Sequence, residues 1–132
     1  MLDPNLPSAL CHLDFDNGNV LSEKEKITVV LDFDDLRFAP MVLCLANTVW
    51  DVYFDQGTSF VNEYIVTYEQ TRPLNELEER FMKPMMLFRH YVIGCKDFAD
   101  EVMNDALFSR YLEIEEELLA SQLFDVDDKI SL

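Results

Sequence analysis

The chain has 132 residues, of which 49% are hydrophobic, so it is long enough to form a domain with a buried core. Its 26 acidic residues against 10 basic ones give a formal net charge of −16, which leaves no basic surface for nucleic acid or for an anionic membrane. We therefore expect neither a nucleic-acid nor a membrane partner, whereas the field of such a protein attracts small cations.

The N-terminal residues and the cysteines indicate the cellular compartment in which the chain is expected. Residues 1–5 carry no basic region and the chain has no run of about 18 apolar residues, so we expect neither a signal peptide nor a membrane span. The odd count of three cysteines, Cys11, Cys44 and Cys95, argues against a disulfide framework, and no Cys/His cluster indicates zinc. The expected location is a cytoplasmic, reducing one.

The order of elements predicts a single domain over residues 1–132 of mainly α (α+β) class, in which a helical bundle carries a short β-hairpin. Residues 1–10 are a lead-in, and residues 11–35 form a loop followed by the hairpin. Residues 40–122 form the helical bundle, and residues 123–132 are an acidic tail.

Three polar residues share one short loop, in which His12, Asp14 and Asn19 form the pattern H-x-D-x-x-x-x-N. Gly18 permits a tight backbone just before Asn19, so a loop that turns back on itself can present Asp14 and Asn19 to one cavity. Phosphoryl transfer needs this kind of placement, since it depends mainly on positioning and on neutralising charge.

A hairpin follows the loop. Residues 19–22 and 27–31 predict two strands, because the second is rich in β-branched residues and a polar turn separates them. Such a hairpin returns Asp32 to a position beside Asn19. Oxygen ligands from Asn and Asp suit Mg²⁺ when phosphate oxygens and water complete the coordination shell.

The rest of the chain predicts helices. Pro40 suits a helix start, and residues 41–54 are apolar nearly all round, which indicates a buried helix ended by Gly57. Thr58 or Ser59 is the expected cap of the next helix. That helix carries an apolar stripe of Phe60, Val61, Tyr64, Ile65 and Tyr68.

Three further helices are expected after Pro73. Asn75 and Glu78 predict a capping pair for a long helix, ended by Gly94, whose apolar face is Leu77, Phe81, Met85, Phe88 and Val92. A shorter helix is expected over 97–107. Ser109 is the expected cap of a last helix ending at residue 119 or 122, with Tyr111, Ile114 and Leu118 on one face.

These motifs together resemble the aminoglycoside phosphotransferase family, which includes choline, homoserine and fructosamine kinase-like proteins. The match rests on the loop at 11–21, on L-D-F-D-D at 31–35, and on 39–50, which is similar to the family's downstream helix often written D-L-A. It covers residues 6–95 and implies the C-terminal lobe of a protein-kinase-like fold.

Carried over residue by residue, the resemblance implies that Asp14 is the catalytic base or a carboxylate that orients the substrate. It implies that Asn19 and Asp32 hold Mg²⁺ and through it ATP or GTP, and that His12 is a structural residue holding the loop near Asp32. Asp35 is a candidate for tuning the metal site or contacting substrate, against the plainer alternative of an ordinary turn carboxylate.

Two positions depart from the family pattern, and one part of the fold is missing. Leu13 replaces the usual Gly of the catalytic loop, and Cys44 stands where the family often has the Asp that braces that loop. Since the loop begins at residue 11, we expect that the nucleotide-binding N-terminal lobe is missing.

The expected function is therefore that of an enzyme lobe, part of a small-molecule kinase. It would transfer a phosphoryl group from ATP to a small-molecule hydroxyl acceptor, with a cationic acceptor favoured by the charge. The missing N-lobe of such an enzyme would come from a separate chain. The alternative is a non-catalytic truncated kinase-like module that acts in assembly or protein interaction and forms a homo-oligomer.

Overall fold

The computed structural model describes residues 3–121, in which four short strands precede four α-helices. This order confirms the mainly α (α+β) class. The chain divides into two compact units, Met1–Pro73 and Leu74–Leu132. The predicted acidic tail, residues 123–132, lies outside the described residues, and the single domain over 1–132 stays a prediction.

The strands of the first unit form two antiparallel pairs. One is the predicted hairpin, in which Lys24 and Glu25 have positive φ angles of 52° and 62°, the conformation that a two-residue type I′ turn needs. The other pairs the residues just before the loop with those just after the hairpin, which the sequence did not predict. The strands are β1 (Ser8–Cys11), β2 (Val20–Glu23), β3 (Lys26–Val30) and β4 (Arg37–Pro40), paired as β1–β4 and β2–β3.

Two helices complete the first unit, α1 (Met41–Gln56) and α2 (Thr58–Thr71). The prediction of a buried first helix is confirmed, with Trp50 and Tyr53 almost fully enclosed. Gly57 has a φ of 83° and joins the two helices, so neither Thr58 nor Ser59 caps α2 as expected. Of the predicted stripe on α2, only Val61 and Ile65 are buried.

The second unit contains α3 (Glu76–Ala99) and α4 (Asp105–Ala120). The capping box at the start of α3 is confirmed, since Asn75 accepts a hydrogen bond from the backbone of Glu78 and Glu78 accepts one from that of Asn75. The helix continues through Pro84 and through Gly94. A Cβ at position 94 would lie 3.4 Å from the Tyr111 ring, so this glycine allows α4 to pack closely and does not end the helix.

Three further expectations for the second unit are wrong. Residues 97–99 belong to α3 and not to a separate helix over 97–107. Asn104, rather than Ser109, caps α4 by accepting a hydrogen bond from the Leu107 backbone. The predicted α3 face is rotated, because the buried residues are Glu78, Met82, Met85, Met86 and His90.

The last helix fits its prediction better. Tyr111, Ile114 and Leu118 are its buried residues, as expected from their spacing. It ends at Ala120, and the alternative end at residue 122 lies outside the described residues. Within residues 3–121, none of the helices combines the length and the apolar character that crossing a bilayer requires.

Candidate active site

His12 connects the loop to the segment that carries Asp32. Its Nε2 lies 2.7 Å from the carbonyl oxygen of Leu31. Because a carbonyl can only accept, Nε2 is the nitrogen that carries the proton. The ring also packs edge-on against Phe33, with centroids 4.9 Å apart. The structure thus places His12 where it holds the loop against the residue before Asp32.

Asn19 holds the proposed base. Its Nδ2 donates to the backbone oxygen of Asp14 at 2.8 Å and to the Asp14 carboxylate Oδ2 at 3.0 Å. Both bonds use the amide nitrogen, and within residues 3–121 the amide oxygen Oδ1 accepts no hydrogen bond. The loop therefore presents one oriented carboxylate and one amide oxygen.

Asp32 lies next to Asn19 across the end of the hairpin. The Leu31 backbone N–H donates to the Asn19 carbonyl at 2.8 Å, which extends the β2–β3 pairing by one position, so Asp32 follows at once. Asp32 is exposed and has a φ of 56°. In the described part of the chain its carboxylate takes part in no hydrogen bond or ion pair.

The donor set at this place fits magnesium. Asn19 Oδ1 and the Asp32 carboxylate are hard oxygen ligands, and Mg²⁺ commonly takes one or two protein oxygens and fills its shell with phosphate oxygens and water. Within residues 3–121, no group of three or more His, Cys, Asp or Glu is arranged to hold a metal ion. The residues present therefore suit a metal that arrives with phosphates.

Asp16 shapes the loop, a role that the sequence did not predict. Its Oδ1 accepts from the backbone N–H of Gly18 at 2.7 Å and of Asn19 at 3.0 Å, which caps the single 3₁₀ turn Asn17–Asn19. A Cβ at position 18 would lie 3.1 Å from that oxygen. Gly18 is thus needed for the close approach of a carboxylate. The sequence Asp-Asn-Gly-Asn at residues 16–19 is typical of a tight turn and could have predicted this role.

Two side chains of α1 brace the loop from below. Asn47 Nδ2 donates to the Leu13 carbonyl at 2.8 Å, and Thr48 Oγ1 donates to the Phe15 carbonyl at 2.9 Å. Both braces are buried. The resemblance pointed to position 44 for this role, but Cys44 packs instead against a buried cluster that contains Cys11. No local pattern marks contacts that span more than thirty residues.

Leu13 adopts the left-handed conformation that explains the family's glycine. Its φ is 64°, a region that costs a residue with a side chain about 1–2 kcal/mol. The side chain is only 8% exposed and belongs to a buried cluster with Cys11 and Ala39. Strain in the backbone is thus offset by burial of the side chain.

A cavity of about 400 Å³ opens beside the loop, between it and helices α1 and α2. Asp14 does not line it, but its neighbours Phe15 and Asp16 do. Four carboxylates share its wall, which makes it strongly acidic: Asp16, Asp51, Asp55 and Glu63. Asp35 lies elsewhere on the surface, where it forms an exposed ion pair with Arg37.

Comparison with known proteins gives one match. The model of the phosphotransferase enzyme family matches residues 1–80, a stretch that contains the whole loop, the hairpin, α1 and α2. No curated protein and no solved structure matches the chain.

The backbone strain at Leu13 predicts which of two variants, Leu13→Ala or Leu13→Gly, has the higher free energy of unfolding. Leu13→Ala loses the buried side chain and should cost about 2–5 kcal/mol of unfolding free energy. Leu13→Gly loses these atoms and the Cβ as well, and the loss of the Cβ releases the strain, so it should be more stable than Leu13→Ala by about 1 kcal/mol. Urea denaturation of the two variants measures the difference.

A half-buried helical position supplies the control. At Val52 in α1, where φ is negative, Gly should be less stable than Ala by about 1 kcal/mol. If Gly is also the less stable residue at position 13, the left-handed conformation of the loop is contradicted.

Proposed function

The chain belongs to the phosphotransferase enzyme family, and from this we propose that it is the catalytic-loop lobe of a kinase that uses ATP to phosphorylate a hydroxyl of a small molecule. One observation carries the proposal. Asn19 orients the Asp14 carboxylate with its amide nitrogen, and its backbone carbonyl pairs with the amide of Leu31, the residue before Asp32. The loop and the end of the hairpin thus bring a candidate base and two candidate metal ligands into one region.

The chemistry follows from these contacts. Asp14, held by Asn19, would orient the acceptor hydroxyl and take its proton as the oxygen attacks the γ-phosphoryl group of ATP or GTP. Asn19 Oδ1 and Asp32 would hold Mg²⁺, which neutralises phosphate charge when bound. His12 would keep both ligands in register through the Leu31 carbonyl. We assign Asp35 no part in the reaction, because it pairs with Arg37.

Nucleotide binding tests the metal site. A ligand at 100 times its dissociation constant adds about 2.7 kcal/mol of stability, so excess Mg²⁺-ATP should raise the Tm of the chain by several degrees. Asp32→Asn should abolish the rise, because the site would lose the charged one of its two proposed magnesium ligands. Thermal unfolding with Mg²⁺-ATP, and with ATP plus a chelator, measures both effects.

Asp34→Asn is the matched control. Asp34 is also exposed and lies two positions after Asp32, so the variant removes the same charge without altering the proposed ligand. It should keep the full Mg²⁺-dependent rise. An equal loss in both variants would indicate a general charge effect. No rise in the unaltered chain, even with an N-terminal lobe supplied as a second chain, would contradict the proposal.

The acidic cavity beside the loop supports a cationic acceptor. Its four carboxylates carry negative charge on three elements, while Phe15, Val52 and Phe60 supply apolar wall. A small molecule with several ammonium and hydroxyl groups matches this lining, since ammonium groups pair with carboxylates and hydroxyls are the acceptors of phosphoryl groups. We propose that the acceptor binds here, with its reacting hydroxyl toward Asp14.

Substitution of two glutamates of α2 distinguishes binding in the cavity from general electrostatic attraction of a cation. Glu63 lines the cavity and Glu69 does not. Glu63→Gln should weaken binding of an aminoglycoside about two- to fivefold, the effect of one exposed ion pair, while Glu69→Gln should leave it unchanged. Calorimetric titration, with a neutral polyol as the second ligand, checks this. Equal weakening by both variants would contradict an acceptor site in the cavity.

An alternative role in assembly is favoured by one exposed surface. Leu10 and Phe38 face each other across the β1–β4 pair and are 66% and 75% exposed. Large apolar side chains that stand together on a surface mark interaction sites. We propose that a second copy of the chain or a separate N-lobe chain covers this pair, with or without catalysis.

Self-association through this surface is measured by light scattering at micromolar concentration. The unaltered chain should have a mass above that of the monomer, and Phe38→Lys should return it to the monomer by placing a charge in the interface. Phe98→Lys is the matched control, because Phe98 is also 75% exposed but lies on α3. A monomeric unaltered chain would contradict the homo-oligomer.

A further inference from the structure

Two cysteines distant in sequence meet beside the catalytic loop. Cys11 is the last residue of β1 and directly precedes His12, while Cys44 lies in the first turns of α1. Cys44 packs against the buried cluster that contains Cys11, and the Cys11 thiol donates to the Ala39 carbonyl at 3.5 Å. Both thiols are free of disulfides.

A separate cavity gives access to this pair. It has a volume of about 230 Å³, and both cysteines line it together with His12, Thr48 and Tyr64. Cys11 is only 5% exposed, whereas Cys44 is half-buried. A small oxidant that enters the cavity therefore meets the Cys44 sulfur more readily than the Cys11 sulfur.

We propose that Cys11 and Cys44 are a redox modification site, which closes to an intramolecular disulfide when a small hydroperoxide enters this cavity and joins β1 covalently to α1. Closure of this pair would not require kinase activity, since both cysteines line the same cavity and differ in exposure whether or not the site binds ATP.

The order of the reaction follows from the surroundings of each thiol. Burial, together with the neighbouring Cys44, raises the pKa of the Cys11 thiol, which disfavours Cys11 as the first nucleophile. The Cys44 thiolate attacks one oxygen of hydrogen peroxide, the O–O bond breaks, and the leaving hydroxide takes up a proton to become water. Cys44 is then a sulfenic acid.

Cys11 resolves this intermediate. Its sulfur attacks the Cys44 sulfur, the S–S bond forms, the S–OH bond breaks, and hydroxide leaves as water with the Cys11 proton. Over both steps two thiols lose two electrons and two protons, and one hydrogen peroxide becomes two waters. A dithiol reductant reverses the change by thiol–disulfide exchange.

The bond would act on the loop. Asn47 and Thr48 stand one turn beyond Cys44 and already hold the carbonyls of Leu13 and Phe15. A disulfide one turn earlier adds a covalent link between the same two segments. Since it closes the long loop between residues 11 and 44, it should stabilise the folded state mainly by restricting the unfolded chain.

The experiment uses the full chain with Cys95→Ser, which removes the exposed thiol that could link two molecules. After reduction, treatment with equimolar hydrogen peroxide should leave no thiol open to a maleimide under denaturing conditions. Peptide mapping should find Cys11 joined to Cys44, and a reductant should restore both thiols. The oxidised form should have a Tm higher by roughly 10 °C.

Two single variants test the order. Cys11→Ser should stop at the Cys44 sulfenic acid, which dimedone traps, whereas Cys44→Ser should leave Cys11 largely unreacted. Neither should show the Tm rise. Two maleimide-reactive thiols after peroxide treatment, or a rise in Tm that persists in Cys44→Ser, would overturn the proposal, and mapping of the parent chain decides it even if a variant does not fold.

Discussion

The candidate loop runs between β1 and β2 with the 3₁₀ turn Asn17–Asn19 as its one regular element, and the hydrogen bonds from α1 are the constraint on which the site depends. Asn47 holds the carbonyl of Leu13, and Thr48 holds that of Phe15. A buried carbonyl without a partner costs about 1–3 kcal/mol, so the loop is strongly favoured in this path. Asp14 lies between the two anchored residues, and its backbone direction is set by both.

The hairpin adds the second half of the site through backbone contacts. The Leu31 amide pairs with the Asn19 carbonyl, and the Leu31 carbonyl pairs with His12, so the residue that follows β3 connects both ends of the loop. Asp32 follows Leu31 directly. The negative charge gathered here and in the neighbouring cavity favours cations, whether a metal carried by phosphates or an ammonium-bearing acceptor.

Features set by neighbours in sequence were predictable, and features set by distant packing were not. The hairpin, the buried face of α4 and the Asn75 capping box depend on residues a few positions apart, and all three are confirmed. Glycine is typical of a helix end, but Gly94 lies inside α3, where its missing side chain leaves room for the Tyr111 ring. The hydrogen bonds from α1 to the loop were equally hard to predict, because the sequence around an asparagine on an apolar helix does not indicate which distant carbonyl it binds.

Leu13 shows how a departure from a family pattern can become difficult to reverse. Where relatives of this loop have a hydrogen atom, this chain has a side chain that fills space between Cys11 and Ala39. The cluster around it combines the small residues Ala9 and Ala39 with the larger Met41 and Leu43, so the position and its surroundings form a matched set. A glycine at position 13 would be tolerated best if a larger residue already stood in place of one of these alanines. The order in which the two substitutions are made would therefore matter to the stability of the loop.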